Sequence, residues 1–239
     1  MHKTAAWAVH VFTASGAVLG LLMLHLAYQG EVRAVLWLFL LSMFIDGVDG
    51  FLARHFRVKE LVPEFDGALL DNIVDYLTYV IAPMALLWAA GYLPAGAAGG
   101  VVAAVPVLAS CYQFCRSDAK TEDHFFLGFP SYWNVVAFYV VVLGLGATAT
   151  TVLLLVFAVL VFVPIKYVYP SRTETLWYAN MAGVSAWFVI YAAMVALLPD
   201  VPAWLTVLSL AYLAYYTAVS LWLTFRTAST KRSTSAASV

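Results

Sequence analysis

Charge is scarce in this 239-residue chain: only 10% of its residues are Asp, Glu, Lys or Arg. Soluble domains carry about 25% charged residues. With 64% of the residues hydrophobic, a water-soluble fold of this length could not hide its apolar surface, so a bilayer is the expected solvent for most of it. The formal net charge of −1 provides no electrostatic footprint for nucleic acid. Cysteine is scarce too. Cys111 and Cys115 are the only two, too few for a structural zinc site or a disulfide framework. Four apart in an apolar stretch, they are expected to share one helix face as small buried residues. No internal repeat is visible.

The apolar residues gather in runs. A spanning helix needs about 20 mainly apolar residues. Eight stretches qualify: 5–28, 32–54, 67–93, 97–115, 130–146, 149–168, 175–198 and 202–225. Turn-forming residues separate them, among them Gln29-Gly30, Pro63, Pro170-Ser171 and the stretches 91–94, 128–130, 144–146 and 199–202. The first run follows Met1-His2-Lys3-Thr4 at once and is too long for the core of a secretory signal, so it reads as a retained first helix. Within it, Gly16 and Gly20 form a small-xxx-small step suited to close helix approach. The expected architecture is an all-α integral membrane protein of about eight transmembrane helices. A single transmembrane domain is expected over 1–226, followed by a Ser/Thr-rich, mildly basic tail, 227–239, expected to be disordered near anionic headgroups.

Eight spans place both termini on one side. Every basic residue except Arg33 falls there: Lys3, then Arg54, Arg57 and Lys59, then Arg116 and Lys120, then Lys166 and Arg172, then Arg226, Lys231 and Arg232. Cytoplasmic loops are the ones enriched in Lys and Arg, so both termini are expected in the cytoplasm.

Against this background four carboxylates stand out. Asp46 and Asp49 fall in the second run, Asp71 and Asp75 in the third. An intramembrane carboxylate costs at least about 2.5–3.5 kcal/mol on insertion scales. Spacings of three and four put each pair on one helix face. A short loop joins the two runs, so all four can converge just inside the cytoplasmic interface. Converging carboxylates repel unless they are protonated or bind cations, and an oxygen-only donor set favours hard ions such as Mg²⁺ or Mn²⁺. Two such ions about 3.5–4 Å apart are a common device in phosphoryl chemistry. Gly47, Gly50 and Gly67 allow close approach of backbone or ligand, and Arg54, at the end of the second run, can grip phosphate bidentately.

In order, the residues read Asp46-Gly-Val-Asp49-Gly50-Phe-Leu-Ala53-Arg54, then twelve residues, then Gly67, Asp71 and Asp75. This resembles the signature of the CDP-alcohol phosphatidyltransferase family, D-x-x-D-G-x-x-A-R followed by G-x-x-x-D-x-x-x-D, with every fixed position present and a spacer longer than the family's usual one. The stretches 10–16 (HVFTASG), 70–79 (LDNIVDYLTY) and 129–139 (FPSYWNVVAFY) extend the resemblance over most of the chain. They point to the bacterial members whose acceptor alcohol is choline.

The resemblance implies an enzyme of phospholipid biosynthesis in the bacterial inner membrane, with its site facing the cytoplasm. It would transfer the phosphatidyl group of CDP-diacylglycerol to choline and release CMP. Asp46, Asp49, Asp71 and Asp75 would hold two Mn²⁺ or Mg²⁺ ions, and Asp75 would also be the base. Gly50, Ala53, Arg54 and Gly67 would receive the CDP-lipid, with Thr13 and Ser15 near the nucleotide unless their hydroxyls are satisfied within their own helix. A homodimer is implied by the family alone.

Choline carries a quaternary ammonium, which aromatic faces recognise. Tyr76 and Tyr79, following Asp75, and Phe129 and Trp133, at the cytoplasmic start of the fifth run, are the candidates. Tyr and Trp also gather at membrane interfaces without any ligand. Two other readings stay open: the same chemistry with another alcohol such as serine, and a cation-coupled transporter, whose sites also use intramembrane Asp residues.

Overall fold

The computed structural model describes the backbone of residues 2–236 and the side chains of residues 2–226. The chain is mainly helical, in the order α1 (His2–Tyr28), α2 (Val32–His55), a short α3 (Val58–Leu61), α4 (Gly67–Asp75), a π-helical turn (Tyr76–Ile81), α5 (Ala82–Ala89), α6 (Ala97–Cys115), β1 (Phe125–Leu127), α7 (Trp133–Val142), α8 (Ala147–Phe162), β2 (Lys166–Val168), α9 (Trp177–Leu197) and α10 (Ala203–Ala236). Among the described residues, six helical stretches are long and apolar enough to cross a membrane: His2–Tyr28, Val32–His55, Gly67–Ala89, Ala97–Cys115, Trp177–Leu197 and Ala203–Arg226. The chain is therefore a multi-pass membrane protein. The expected tail, 227–239, has its side chains outside the described residues, as are residues 237–239 entirely.

Three differences from the sequence expectation have physical causes. The fifth and sixth expected spans are the shorter helices α7, of 10 residues, and α8, of 16. At about 1.5 Å per residue neither matches a hydrocarbon core of about 30 Å. The missing turns of α7 are the non-helical stretch 128–132, in which Phe129, Pro130 and Ser131 are buried. Non-helical backbone at membrane depth is tolerated where protein covers it. Second, Cys111 and Cys115 are free thiols but exposed, on the outer face of α6 rather than in the core. Third, two three-residue strands interrupt the all-α pattern. Runs that short carry no readable period.

The described residues form two compact units, Met1–Phe114 with Ser131–Leu155, and Cys115–Pro130 with Val156–Val239. In the first, α1 packs on α2 and on the third span. Gly16 and Gly20 make this approach possible: a Cβ at Gly16 would lie 2.5 Å from Val74 Cγ1, and one at Gly20 2.5 Å from Leu77 Cδ2. Gly20→Val is expected to lower thermal stability in detergent by about 1–3 kcal/mol through overpacking. Gly146→Ala, where a Cβ meets nothing within 4 Å, leaves the melting temperature unchanged. The long spacer after Arg54 is folded rather than loose. It contains α3, whose Val58 joins Val62, Ala6 and Val9 in a hydrophobic cluster against α1. Lys3 pairs with Glu64 at 3.1 Å.

The third span starts and bends for identifiable reasons. The Asp66 side chain caps α4, accepting from the amides of Ala68 at 3.1 Å and Leu69 at 3.0 Å. Pro83 lies just past the π turn, near the start of α5. Proline lacks an N–H, and in a regular α-helix its ring strikes the carbonyl four residues back, here that of Tyr79. The widened turn, in which the Ala82 amide reaches Leu77 rather than Thr78, absorbs this conflict.

In the second unit β1 and β2 pair antiparallel, Phe126 opposite Tyr167. The helix α10 serves the strand: Ser220 Oγ accepts from the Val168 amide at 3.1 Å, Thr224 Oγ1 accepts from the Lys166 amide at 2.9 Å, and Tyr216 donates to the Val168 carbonyl at 3.0 Å. Arg116 grips Asp118 with two bonds of 2.6 and 2.7 Å, and these hold the Asp118 carboxyl below its usual range. Lys166 pairs with Asp123.

Candidate active site

Asp46 and Asp49 lie one turn apart in the C-terminal half of α2, and Asp71 faces them from α4. Each offers a carboxylate oxygen, and these oxygens lie within 4.8 Å of one another. Asp49 is buried; Asp46 and Asp71 are half-buried. Asp75, one turn beyond Asp71, is also half-buried and is not a member of this group of three. Three of the four residues paired in the sequence, Asp46, Asp49 and Asp71, therefore form a compact triad.

Two hydroxyls engage the α2 carboxylates. Thr13 Oγ1, on α1, donates to Asp49 Oδ2 at 2.8 Å, and Tyr79, at the π turn, donates to Asp46 Oδ2 at 2.8 Å. Thr13 is thus at the site. Ser15 turns away, donating to the Phe12 carbonyl of its own helix at 2.6 Å. Gly50 faces Arg54, whose Nη1 would lie 3.3 Å from a Cβ there. Arg54 itself is exposed at the end of α2, and Ala53 is half-buried. At Gly67 the space of a missing side chain is taken by His10, whose Cε1 would be 2.8 Å from a Cβ.

His10 was not assigned a role from sequence. It is 6% exposed, packed between Trp7 and Phe65, with Nε2 unpaired. Its position three before Thr13, on the same face of α1, was the available signal. The Tyr79–Asp46 bond was also unanticipated, although Asp71, Asp75 and Tyr79 form an i, i+4, i+8 series.

The aromatic candidates fall in different settings. Tyr76 is half-buried; its hydroxyl donates to the Val107 carbonyl at 3.0 Å and sits 3.0 Å from Cys111 Sγ, and its ring meets Phe114 edge-on. Tyr79 is buried, with its ring 5.9 Å from that of Tyr132. Trp133 is fully buried, donating to Ser110 Oγ at 2.7 Å, and Ser110 in turn donates to Ser131 at 2.9 Å. Phe129 packs in the second unit against Phe157 and Tyr167.

A multi-pass helical membrane protein with a carboxylate triad at one end of its second and third spans is the class defined so far. Comparison with known proteins narrows it. The model of the CDP-alcohol phosphatidyltransferase family matches residues 7–213. Phosphatidylcholine synthase of Legionella pneumophila is 53% identical over 173 residues, covering 72% of this chain and 68% of that protein. Those of Pseudomonas aeruginosa and Borreliella burgdorferi are 36% and 34% identical over 224 residues, covering 93% of this chain in both cases and 93% and 95% of the two proteins. The chain belongs to the CDP-alcohol phosphatidyltransferase family and is a phosphatidyltransferase of phospholipid biosynthesis.

Proposed function

We propose that this enzyme is a phosphatidylcholine synthase, which transfers the phosphatidyl group of CDP-diacylglycerol to choline and releases CMP. The convergence of Asp46, Asp49 and Asp71 within 4.8 Å supports the phosphoryl chemistry, and the shared name of the relatives supports choline.

The donor set fits hard divalent cations: three oxygen ligands from two helices, one of them buried. Asp46, Asp49, Asp71 and Asp75 would hold two Mn²⁺ or Mg²⁺ ions, which neutralise the diphosphate when bound. Gly50, Ala53 and Arg54 receive the CDP-lipid from the cytoplasmic side, with Arg54 on phosphate and Thr13 toward the nucleotide, while the Ser15 hydroxyl is spent on the Phe12 carbonyl and His10 fills the space beside Gly67. Asp75 takes the proton of the choline hydroxyl. The alcohol oxygen then bonds to the lipid-side phosphorus, the bond from that phosphorus to the CMP oxygen breaks, and CMP leaves with the electron pair. Positioning carries most of the rate in such a transfer, which suits ligands held on rigid helices.

Two cationic side chains that could meet a phosphorylated acceptor are paired instead with carboxylates: Arg116 with Asp118 and Lys166 with Asp123. An acceptor without phosphate fits this distribution. Tyr76, Tyr79 and Trp133 are proposed to shape the choline site, Tyr76 through its ring face. Tyr76→Ala is expected to raise the KM for choline about tenfold, the scale of one cation–π contact, with a smaller change for CDP-diacylglycerol. Equal changes in both constants would remove Tyr76 from the choline site. Incorporation of labelled choline into lipid, dependent on added CDP-diacylglycerol, tests the assignment as a whole.

The site faces the cytoplasm of the bacterial inner membrane in this proposal, and eight spans put both termini there. The side bearing the basic residues is the same whether the α7–α8 pair crosses fully or re-enters, because Arg116, Lys120, Lys166 and Arg172 all flank that pair. The enzyme is proposed to act as a homodimer.

A further inference from the structure

The carboxylates of α2 are each held by a hydroxyl from another helix. Thr13, 7% exposed, donates from α1 to Asp49; Tyr79, 5% exposed, donates from the third span to Asp46. Both bonds are 2.8 Å. Charge-assisted hydrogen bonds are stronger than neutral ones, and an apolar, water-poor surrounding strengthens them further. A carboxylate turns easily about its terminal torsion, whose distribution is broad. A donor fixed on one oxygen sets the plane of the group, and hence the direction of the other oxygen.

The third span is built to deliver this donor. On a regular α-helix, residues 71, 75 and 79 would drift around the axis by about 40° per step. The π turn begins at Tyr76 and spans Tyr79, and its wider turn offsets the drift. Tyr79 is thereby brought to the face that carries Asp71. Its ring, against Tyr132 at 5.9 Å, cannot swing away without repacking.

Resting on the function proposed above, the geometry points to Tyr79 and Thr13 as positioning residues for Asp46 and Asp49. Their hydroxyls set the carboxylate orientation for divalent cation binding, and the π turn next to Asp75 places one of the two. Tyr79 thus acts through Asp46 rather than on the acceptor alcohol alone. Partners of this kind around metal ligands are worth about 10–100-fold in metal affinity or activity.

Mn²⁺ binding to the full-length protein in detergent, followed by electron paramagnetic resonance without substrates, tests this apart from turnover. Tyr79→Phe keeps the ring and removes the donor. It is expected to weaken Mn²⁺ binding about tenfold or more, to lower kcat, and to leave the choline KM close to that of the unaltered protein. Thr13→Val should weaken binding likewise, and Thr13→Ser should restore it; this pair stands on its own if Tyr79→Phe does not fold. Normal Mn²⁺ affinity in both Tyr79→Phe and Thr13→Val, alongside its loss in Asp46→Asn, overturns the inference and leaves the proposed function intact. Mn²⁺ binding indifferent to Asp46→Asn would overturn the site itself, and the inference with it.

Discussion

Asp75→Asn is expected to abolish CMP release while leaving the protein folded. The substitution keeps shape and volume, and the side chain lies half-buried on the third span, so the fold loses little. What it removes, in the proposed mechanism, is the acceptor for the choline proton. General base catalysis contributes about 10²–10⁴-fold. If Asp75 is also a metal ligand, the loss exceeds that range. Near-normal turnover in Asp75→Asn would end its assignment as base. Turnover that falls but recovers with added Mn²⁺ would make it a ligand alone.

Asp49→Asn should be as severe by a different route. Asp49 is 6% exposed and bonded to Thr13, so it is the most enclosed member of the triad. An amide in its place removes a negative charge and presents a poorer oxygen ligand. Mn²⁺ binding and CMP release are expected to fall together, with activity reduced about 10²-fold or more by analogy with loss of one preorganised electrostatic contact. The metal-free protein should be no less stable than the unaltered one. Removing one of three mutually repelling carboxylates relieves repulsion, and Asn still accepts from Thr13. A variant that binds Mn²⁺ normally yet is inactive would move Asp49 out of the metal site.

The part of this site most legible from sequence is the part with a cost. Carboxylates in apolar helices need a reason, and their three- and four-residue spacings sufficed to bring Asp46, Asp49 and Asp71 together. The step Gly16-xxx-Gly20 announced the packing of α1 on Val74 and Leu77 in the same way. Other features depended on contacts between distant segments. The antiparallel pairing of Phe125–Leu127 with Lys166–Val168 rests on side chains of α10, which no local pattern reveals. The helix α7 is shorter than its apolar run because such a run reads the same whether it is helical throughout or, as at 128–132, partly non-helical and buried. The sequence places Cys111 and Cys115 in the core because small thiols favour it, yet both are exposed, Cys111 with its Sγ 3.0 Å from the Tyr76 hydroxyl. Tyr79 was read as an aromatic face because a hydroxyl's partner on another helix depends on the π turn, and Pro83 alone did not reveal that turn.

The most direct test of the central assignment is CMP release by the purified protein in detergent, supplied with CDP-diacylglycerol, Mn²⁺ and a panel of alcohols that includes choline, serine and glycerol 3-phosphate. The account predicts release with choline and with no other member of the panel, lost on chelation and restored by Mn²⁺ or Mg²⁺. Release with serine or glycerol 3-phosphate in place of choline, or metal-independent release, would contradict it.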